Sequence, residues 1–290
     1  MSTVPRALTA DDLPGTEELL RQAGSENFTV ANRLLGAETC RHLMAIYGYA
    51  RLVDDVGDEA TGDRDTLLDV VEAELAAVFS GGSVGHPVMR TLAVSVRECG
   101  LPDGPFRRLL AANRMDQTVT RYETWDQLME YCSLSANPVG ELVLGVFGTA
   151  TGDRIALSDR ICSGLQVAEH LQDIAEDHGR GRVYLPVEDQ ERFGVDEGSL
   201  ARAATPDGPL RGLIAYEAAR AGLLLSAGAP LARTLPLRQR LAVAGFVAGG
   251  RAALRGLPGG ADAGGAGTGA RSGDRNRTVA SAFPRAFLGR

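Results

Sequence analysis

Four aspartates, Asp54, Asp58, Asp173 and Asp177, carry the clearest chemical signal in the chain. Each pair is separated by four residues, so on a helix both carboxylates of a pair project from one face. The first pair lies in YGYARLVDDVGDEA, where Tyr47, Arg51, Asp54 or Asp55, and Asp58 follow steps of four, three and four, flanked by Met44, Ile46, Leu52 and Val53. The second lies in LQVAEHLQDIAEDHGRGRVYLP. There Gln166, Glu169, Asp173 and Asp177 share a face, Glu176 sits beside them, and Leu165, Val167, Leu171 and Ile174 cover the other sides. Ionised carboxylates crowded on apolar helices repel one another and are costly to bury unless they are paired. Hard oxygen ligands one turn apart suit Mg²⁺, with Mn²⁺ as a substitute. For either stripe alone, a solvated acidic face paired with arginine is the alternative. Matching DxxxD spacing on two apolar helices favours the metal. A di-iron bundle would want Glu-x-x-His on its ligand helices, whereas Glu169 and His170 are adjacent.

The elements that must hold these carboxylates read as helices. Apolar residues recur at three- and four-residue steps in Leu43, Ile46, Tyr47 and Ala50, and again in Leu67, Val70, Val71, Leu75 and Val78. Alternating β-branched runs are scarce. Gly and Pro mark loops at 81–87, 100–105, 151–153 and 205–209. The spacing predicts long helices from Ala37 to about Arg255. Residues 1–24 read as an acidic arm with a short helix from Leu13 to Gln22, 25–255 as one all-α domain, and 256–290 as a Gly-rich flexible tail.

Composition removes several classes of function. The chain has 290 residues, 44% of them hydrophobic, enough to bury a large core. A net charge of −7 argues against a general nucleic-acid binder. All 30 basic residues are Arg, so no P-loop, Schiff-base or general-base lysine exists. No apolar run is long enough to span a bilayer, and the N-terminus lacks a secretory signal, so the expected location is the cytoplasm. Cys40, Cys99, Cys132 and Cys162 form no CxxC pair and read as reduced, buried thiols.

The pairing of ARLVDDVGDEA with QVAEHLQDIAEDHGRGRVYLP resembles the squalene and phytoene synthases, the head-to-head prenyl synthases, whose motifs are DxxxD and DxxED followed by a GRxYLP-like segment. The resemblance runs from about Ser25 to Gly250. SENFTVANRLL and RYETWDQLMEYCSLSANPVGELVL are similar to the bacterial hydroxysqualene synthase branch of squalene and hopanoid biosynthesis. It implies an all-α, single-domain isoprenoid synthase bundle around a central apolar cavity, and Mg²⁺-dependent loss of diphosphate from presqualene diphosphate. The alternatives are an NADPH-dependent squalene synthase, a presqualene diphosphate or phytoene synthase acting on farnesyl diphosphate or a related prenyl diphosphate, and a non-catalytic helical partner. GxGxxG is absent, and NADPH is not expected. Coupling to other squalene-pathway enzymes, and contact with the inner face of the membrane where the greasy substrate resides, are further expectations.

The resemblance assigns residues. Asp54, Asp58, Asp173 and Asp177 would coordinate Mg²⁺, with Asp55, Glu169 and Glu176 as further ligands or their partners. Arg51 would grip a diphosphate oxygen, beside Tyr47 and Gln166. Ser25, Asn27 and Arg33 would add contacts at the mouth, and Arg180, Arg182 and Tyr184 would close over it. Squalene and phytoene synthases usually carry a Tyr before VAGxVG, associated with the first condensation. Ser133 and Leu134 offer no phenol here, which fits an enzyme that only processes presqualene diphosphate. Asn137, with Ser133 or Ser135, would position the water that captures the carbocation; a turn or cap before Pro138 is the alternative. Leu142, Val143, Val146, Phe147 and the Gly-rich face of LAVAGFVAGG are candidate pocket walls, while Gly145, Gly148 and Gly245 could instead serve close helix contact. His170 reads as a bundle-facing structural histidine that merits testing.

Overall fold

A computed structural model describes residues 8–15 and 34–258. Ser25, Asn27, Arg33, the rest of the N-terminal arm and the tail from 259 onward lie outside the described residues. The helices are α1 (Ala37–Asp58), α2 (Arg64–Ser80), α3 (Pro87–Cys99), α4 (Gly104–Met115), α5 (Trp125–Ser135) and α6 (Asn137–Val146). They continue with α7 (Gly152–Gly179), α8 (Val187–Phe193), α9 (Glu197–Ala201), α10 (Gly208–Gly228) and α11 (Leu237–Arg255), with 3-10 turns at Ala10–Asp12 and Ala229–Thr234. The β pairing among the described residues is one isolated bridge, Arg121 with Val183. The expected all-α class is therefore observed.

Capping chemistry sets the helix starts. The side chains of Asp63, Thr124, Thr151 and Asp207 accept the orphan N–H groups of Thr66, Gln127, Arg154 and Leu210. Helices α2 and α3 stop at Gly81 and Gly100, both in the left-handed region. All four expected loops are shorter than the Gly and Pro pattern suggested. Pro87, Pro105 and Pro209 sit inside the first turns of α3, α4 and α10, and Asp153 inside that of α7. Proline is accepted there because its missing N–H has no intrahelical partner. The short helix expected from Leu13 does not begin there: Leu13 is extended after the 3-10 turn. At the other end Leu257 is buried, so packing continues into the segment read as tail.

Two hydrophobic clusters make up the core. One is built mainly from α1–α4 and includes Val139 and Leu142; the other is built from α5, α7, α10 and α11 and includes Leu144. Helix α6 thus sends residues into both, and it packs against α1 and α7. Small residues permit that approach: a Cβ at Gly140 would strike Ser158 Oγ and come within 2.6 Å of Cys162 Sγ on α7. Gly145 serves close contact as expected, with Leu101 in the way of a Cβ at 2.7 Å. Gly245 does not; nothing lies within 4 Å of its Cβ position, and it is exposed. Gly250 takes that part on α11, against Leu165 and Leu225. Of the candidate pocket walls, Leu142 is fully buried and Val143, Val146 and Phe147 pack at the edge of the first cluster. Leu241, Ala244, Gly245 and Ala248 face outward, so that side of α11 is not an inner wall.

Candidate active site

The two acidic pairs occupy the C-terminal ends of α1 and α7, where the unpaired carbonyls of a helix already favour positive charge. Arg182 joins these ends. Its backbone N–H donates to the Asp177 carbonyl at 2.9 Å, and its guanidinium pairs with Asp58 at 2.7 Å. Burial works against the charged guanidinium, yet Tyr184, Asp58 and Asp116 hold it above the ordinary arginine value. A small recess adjoins it, lined by His170, Ile174, Asp177, Tyr184 and Leu200 among others.

On α1, Asp54 accepts a hydrogen bond from Asn113 Nδ2 of α4 at 3.0 Å. Gln117, one turn later, donates to the Gly57 carbonyl at 3.0 Å. Gly57 lets α4 come this close: a Cβ there would run into Asn113 Oδ1 and lie 3.2 Å from its Cγ. Asp55 is buried and pairs with Arg51 at 2.6 Å, and Arg51 also reaches Glu59 at 3.3 Å. Arg51 is therefore turned along its own helix and engaged by Asp55 and Glu59. Burial pushes the Tyr47 phenol up against the pull of Arg51, and Asp55 and Asp54 add to the rise.

On α7, Gln166, Glu169 and Asp177 are buried and Asp173 is half-buried, as their shared stripe required. Glu176, beside the stripe at its solvent edge, is 60% exposed and paired with Arg180 at 3.0 Å. His170 is buried and stacks on Tyr184, with ring centroids 3.8 Å apart; its Nε2 lies 3.1 Å from Gln166 Nε2 and its Nδ1 3.8 Å from Asp177 Oδ2. Tyr184 and Tyr131 both donate to Asp116, at 3.4 and 2.8 Å. Tyr184 is thus part of a buried aromatic stack and not a mouth residue. The segment that carries it is tied down: Gly181 turns with φ +80°, then Val183 and Val187 donate to the carbonyls of Thr120 and Tyr122, each at 2.9 Å.

Asn137 opens α6 without capping it. Its side chain crosses to α7, where Oδ1 accepts from Ser163 Oγ at 2.9 Å. The hydroxyls of Ser133 and Ser135 bond to carbonyls of their own helix, Glu130 and Tyr131. Cys132 and Cys162 are buried and their thiols are pushed up to about 12 by burial; all four cysteines are free, with Cys99 only half-buried.

The donor set fits Mg²⁺ in chemistry. Among the described residues no group of three or more His, Cys, Asp or Glu side chains closes on one point. Mg²⁺ does not require such a cage, because it commonly keeps waters and binds one or two carboxylates together with substrate phosphates. The Asp54–Asn113 contact is a feature the acidic motifs did not announce. Its signal was present: Phe106, Leu109 and Leu110 form a stripe that Asn113 and Gln117 continue with polar side chains.

The squalene/phytoene synthase family model matches residues 21–261. The chain is 37% identical over 211 residues to a hydroxysqualene synthase of Rhodopseudomonas palustris, covering 71% of this chain and 70% of that one. It is 34% identical over 232 residues to a hydroxysqualene synthase of Sinorhizobium fredii, covering 77% and 75%. The crystal structure of squalene synthase HpnC from Alicyclobacillus acidocaldarius superposes with a TM-score of 0.75 at 38% identity, over 84% of this chain and 95% of that one.

Proposed function

The chain belongs to the squalene/phytoene synthase family, and from that premise we propose that it is a hydroxysqualene synthase acting on presqualene diphosphate. The observation that carries this reading is the meeting of two acid-bearing helix ends, bridged from Asp177 to Asp58 by Arg182. Both hydroxysqualene synthases compared above support the choice of product.

Asp54, Asp58, Asp173 and Asp177 would hold Mg²⁺, with Glu169 beside them; Asp55 and Glu176 contribute charge at longer range. Bound there, Mg²⁺ would neutralise the diphosphate and stabilise the charge that grows as it leaves. Arg182 supplies a fork suited to phosphate oxygens. The ester C–O bond breaks and its electron pair departs with the diphosphate. The cyclopropylcarbinyl cation that remains rearranges within apolar walls, which keep out stray water until the rearrangement is complete. Water then adds through oxygen and loses a proton, giving the alcohol. Asn137, fixed by Ser163, orients that water through its amide.

A second reading, squalene synthase, is favoured by the likeness to the squalene synthase HpnC structure. One assay separates them: purified protein with Mg²⁺ and either presqualene diphosphate or farnesyl diphosphate, first without and then with NADPH, followed by product identification. Hydroxysqualene from presqualene diphosphate is expected. Conversion of farnesyl diphosphate alone, or a C30 product only when NADPH is added, overturns the assignment. No turnover of either substrate points to a non-catalytic helical partner.

A further inference from the structure

Among the described residues, the large hydrophobic side chains left exposed are Leu223 at 70%, Leu237 at 66% and Leu241 at 51%. All three lie on α10 and α11. On α11, Leu237, Leu241, Ala244 and Ala248 follow steps of four, three and four along the exposed face, opposite the buried Val243, Val247, Gly250 and Leu254. Arginine borders this stripe. Between residues 208 and 258 the chain has seven arginines and one carboxylate, Glu217, which is buried. Arg238, Arg240, Arg251 and Arg255 are exposed, and none pairs with a carboxylate among the described residues. Arg240 and Arg251 donate only to the Leu235 carbonyl and Ser226 Oγ. A chain of net charge −7 thus concentrates positive charge around its most exposed leucines.

We propose that the outer face of α11 docks the protein on an anionic lipid bilayer. A helix with apolar residues on its outer face and arginines at the margins binds such an interface by burying the former and pairing the latter with headgroups. Charge selects this occupant over two others. A symmetric second copy would set the same arginines against each other. The chain's own segment 259–290 holds five arginines and two aspartates, so it repels the same face. No described helix is long and apolar enough to cross a membrane, so the contact is peripheral.

The test uses the full chain and vesicles, without substrate, so its failure is distinct from failure of the hydroxysqualene assignment. Flotation is measured with phosphatidylcholine vesicles and with vesicles containing an equal share of phosphatidylglycerol. Binding is expected only to the anionic vesicles, and high salt should weaken it. Arg238→Gln/Arg240→Gln should reduce the binding constant about thirty-fold. Leu237→Ser/Leu241→Ser should reduce it at least about tenfold. Circular dichroism and melting should match the parent in both. Absence of anionic-vesicle binding in the parent, equal binding by either variant, or a dimer that the leucine variant splits while vesicles are ignored would each overturn the proposal. Capture of an acidic protein by this face with no vesicle binding would do the same.

Discussion

Gly57→Ala tests whether α4 positions the first acidic pair. The added methyl would collide with Asn113 Oδ1, 3.2 Å from its Cγ, so the amide must leave Asp54, to which it now donates at 3.0 Å. Overpacking of this kind costs about 1–3 kcal/mol, and a hydrogen bond to a charged group contributes about 1.5–3 kcal/mol. One displaced amide accounts for much of both, so a total of about 3 kcal/mol is expected, or a melting temperature lower by about 6–12 °C. A misplacement of about 1 Å at a reacting group can cost about a hundredfold in rate, and the Mg²⁺ concentration for half-maximal turnover should rise. The double variant Gly57→Ala/Asn113→Ala separates packing from positioning. Its residue 113 keeps only a Cβ, 3.4 Å from the new methyl, which is ordinary contact. Stability should return in part, by the overpacking share, while turnover and Mg²⁺ dependence stay impaired because Asp54 is still unsupported by the amide. Unchanged melting of Gly57→Ala, or full turnover of the double variant at the parent's Mg²⁺ requirement, would refute the reasoning.

Arg182→Gln removes the cation against Asp58 in a mostly buried pair, and should cost about 2 kcal/mol, with added Mg²⁺ restoring part of the lost melting temperature. Identical melting curves without Mg²⁺ would contradict the assigned bridge. Burial, reinforced by Asp189, raises the Glu217 carboxyl to about 8 from the ordinary glutamate value. The folded state therefore holds a proton that the unfolded chain releases, and stability should decline as pH rises from about 4.5 to about 8; Glu217→Gln should flatten that slope in denaturant titrations. Asn137→Ala should still release diphosphate but form less alcohol, read by chromatography of the products; an unchanged alcohol yield removes Asn137 from water capture. A chelator should abolish turnover, and Mg²⁺ should restore it.

Local chemistry made much of the architecture readable. The helical stretch expected from Ala37 to Arg255 begins and ends at α1 and α11, because apolar repeats and glycine stops are properties of neighbouring residues. The errors sit at Pro87, Pro105 and Pro209, which read as loop markers although a first helical turn accepts them equally well. At the candidate site, the shared stripe of Gln166, Glu169, Asp173 and Asp177 was legible from spacing, and Glu176 departed from it by a single residue. Which of Asp54 and Asp55 turns inward onto Arg51 was not, since both lie within the scatter of one helical step. Asn113, which meets Asp54, and Arg182, which meets Asp58, come from 59 and 124 residues further on, beyond any local pattern.

The same limit explains why α11 was read inside out. Its small and apolar residues establish an amphipathic helix, but a helical period has no absolute phase until a neighbour is known. The expectation fell on Gly245 for the close contact, and Gly250 lies five residues further on. Leu165 and Leu225 select Gly250, and that choice turns Leu237 and Leu241 outward. The arginines then become informative. If this face had been core, Arg240 and Arg251 would require buried carboxylate partners, and α11 contains no acidic residue at all. The absence of acids from the helix is the one clue in the sequence that could have set its phase, because an unpaired guanidinium belongs at a surface.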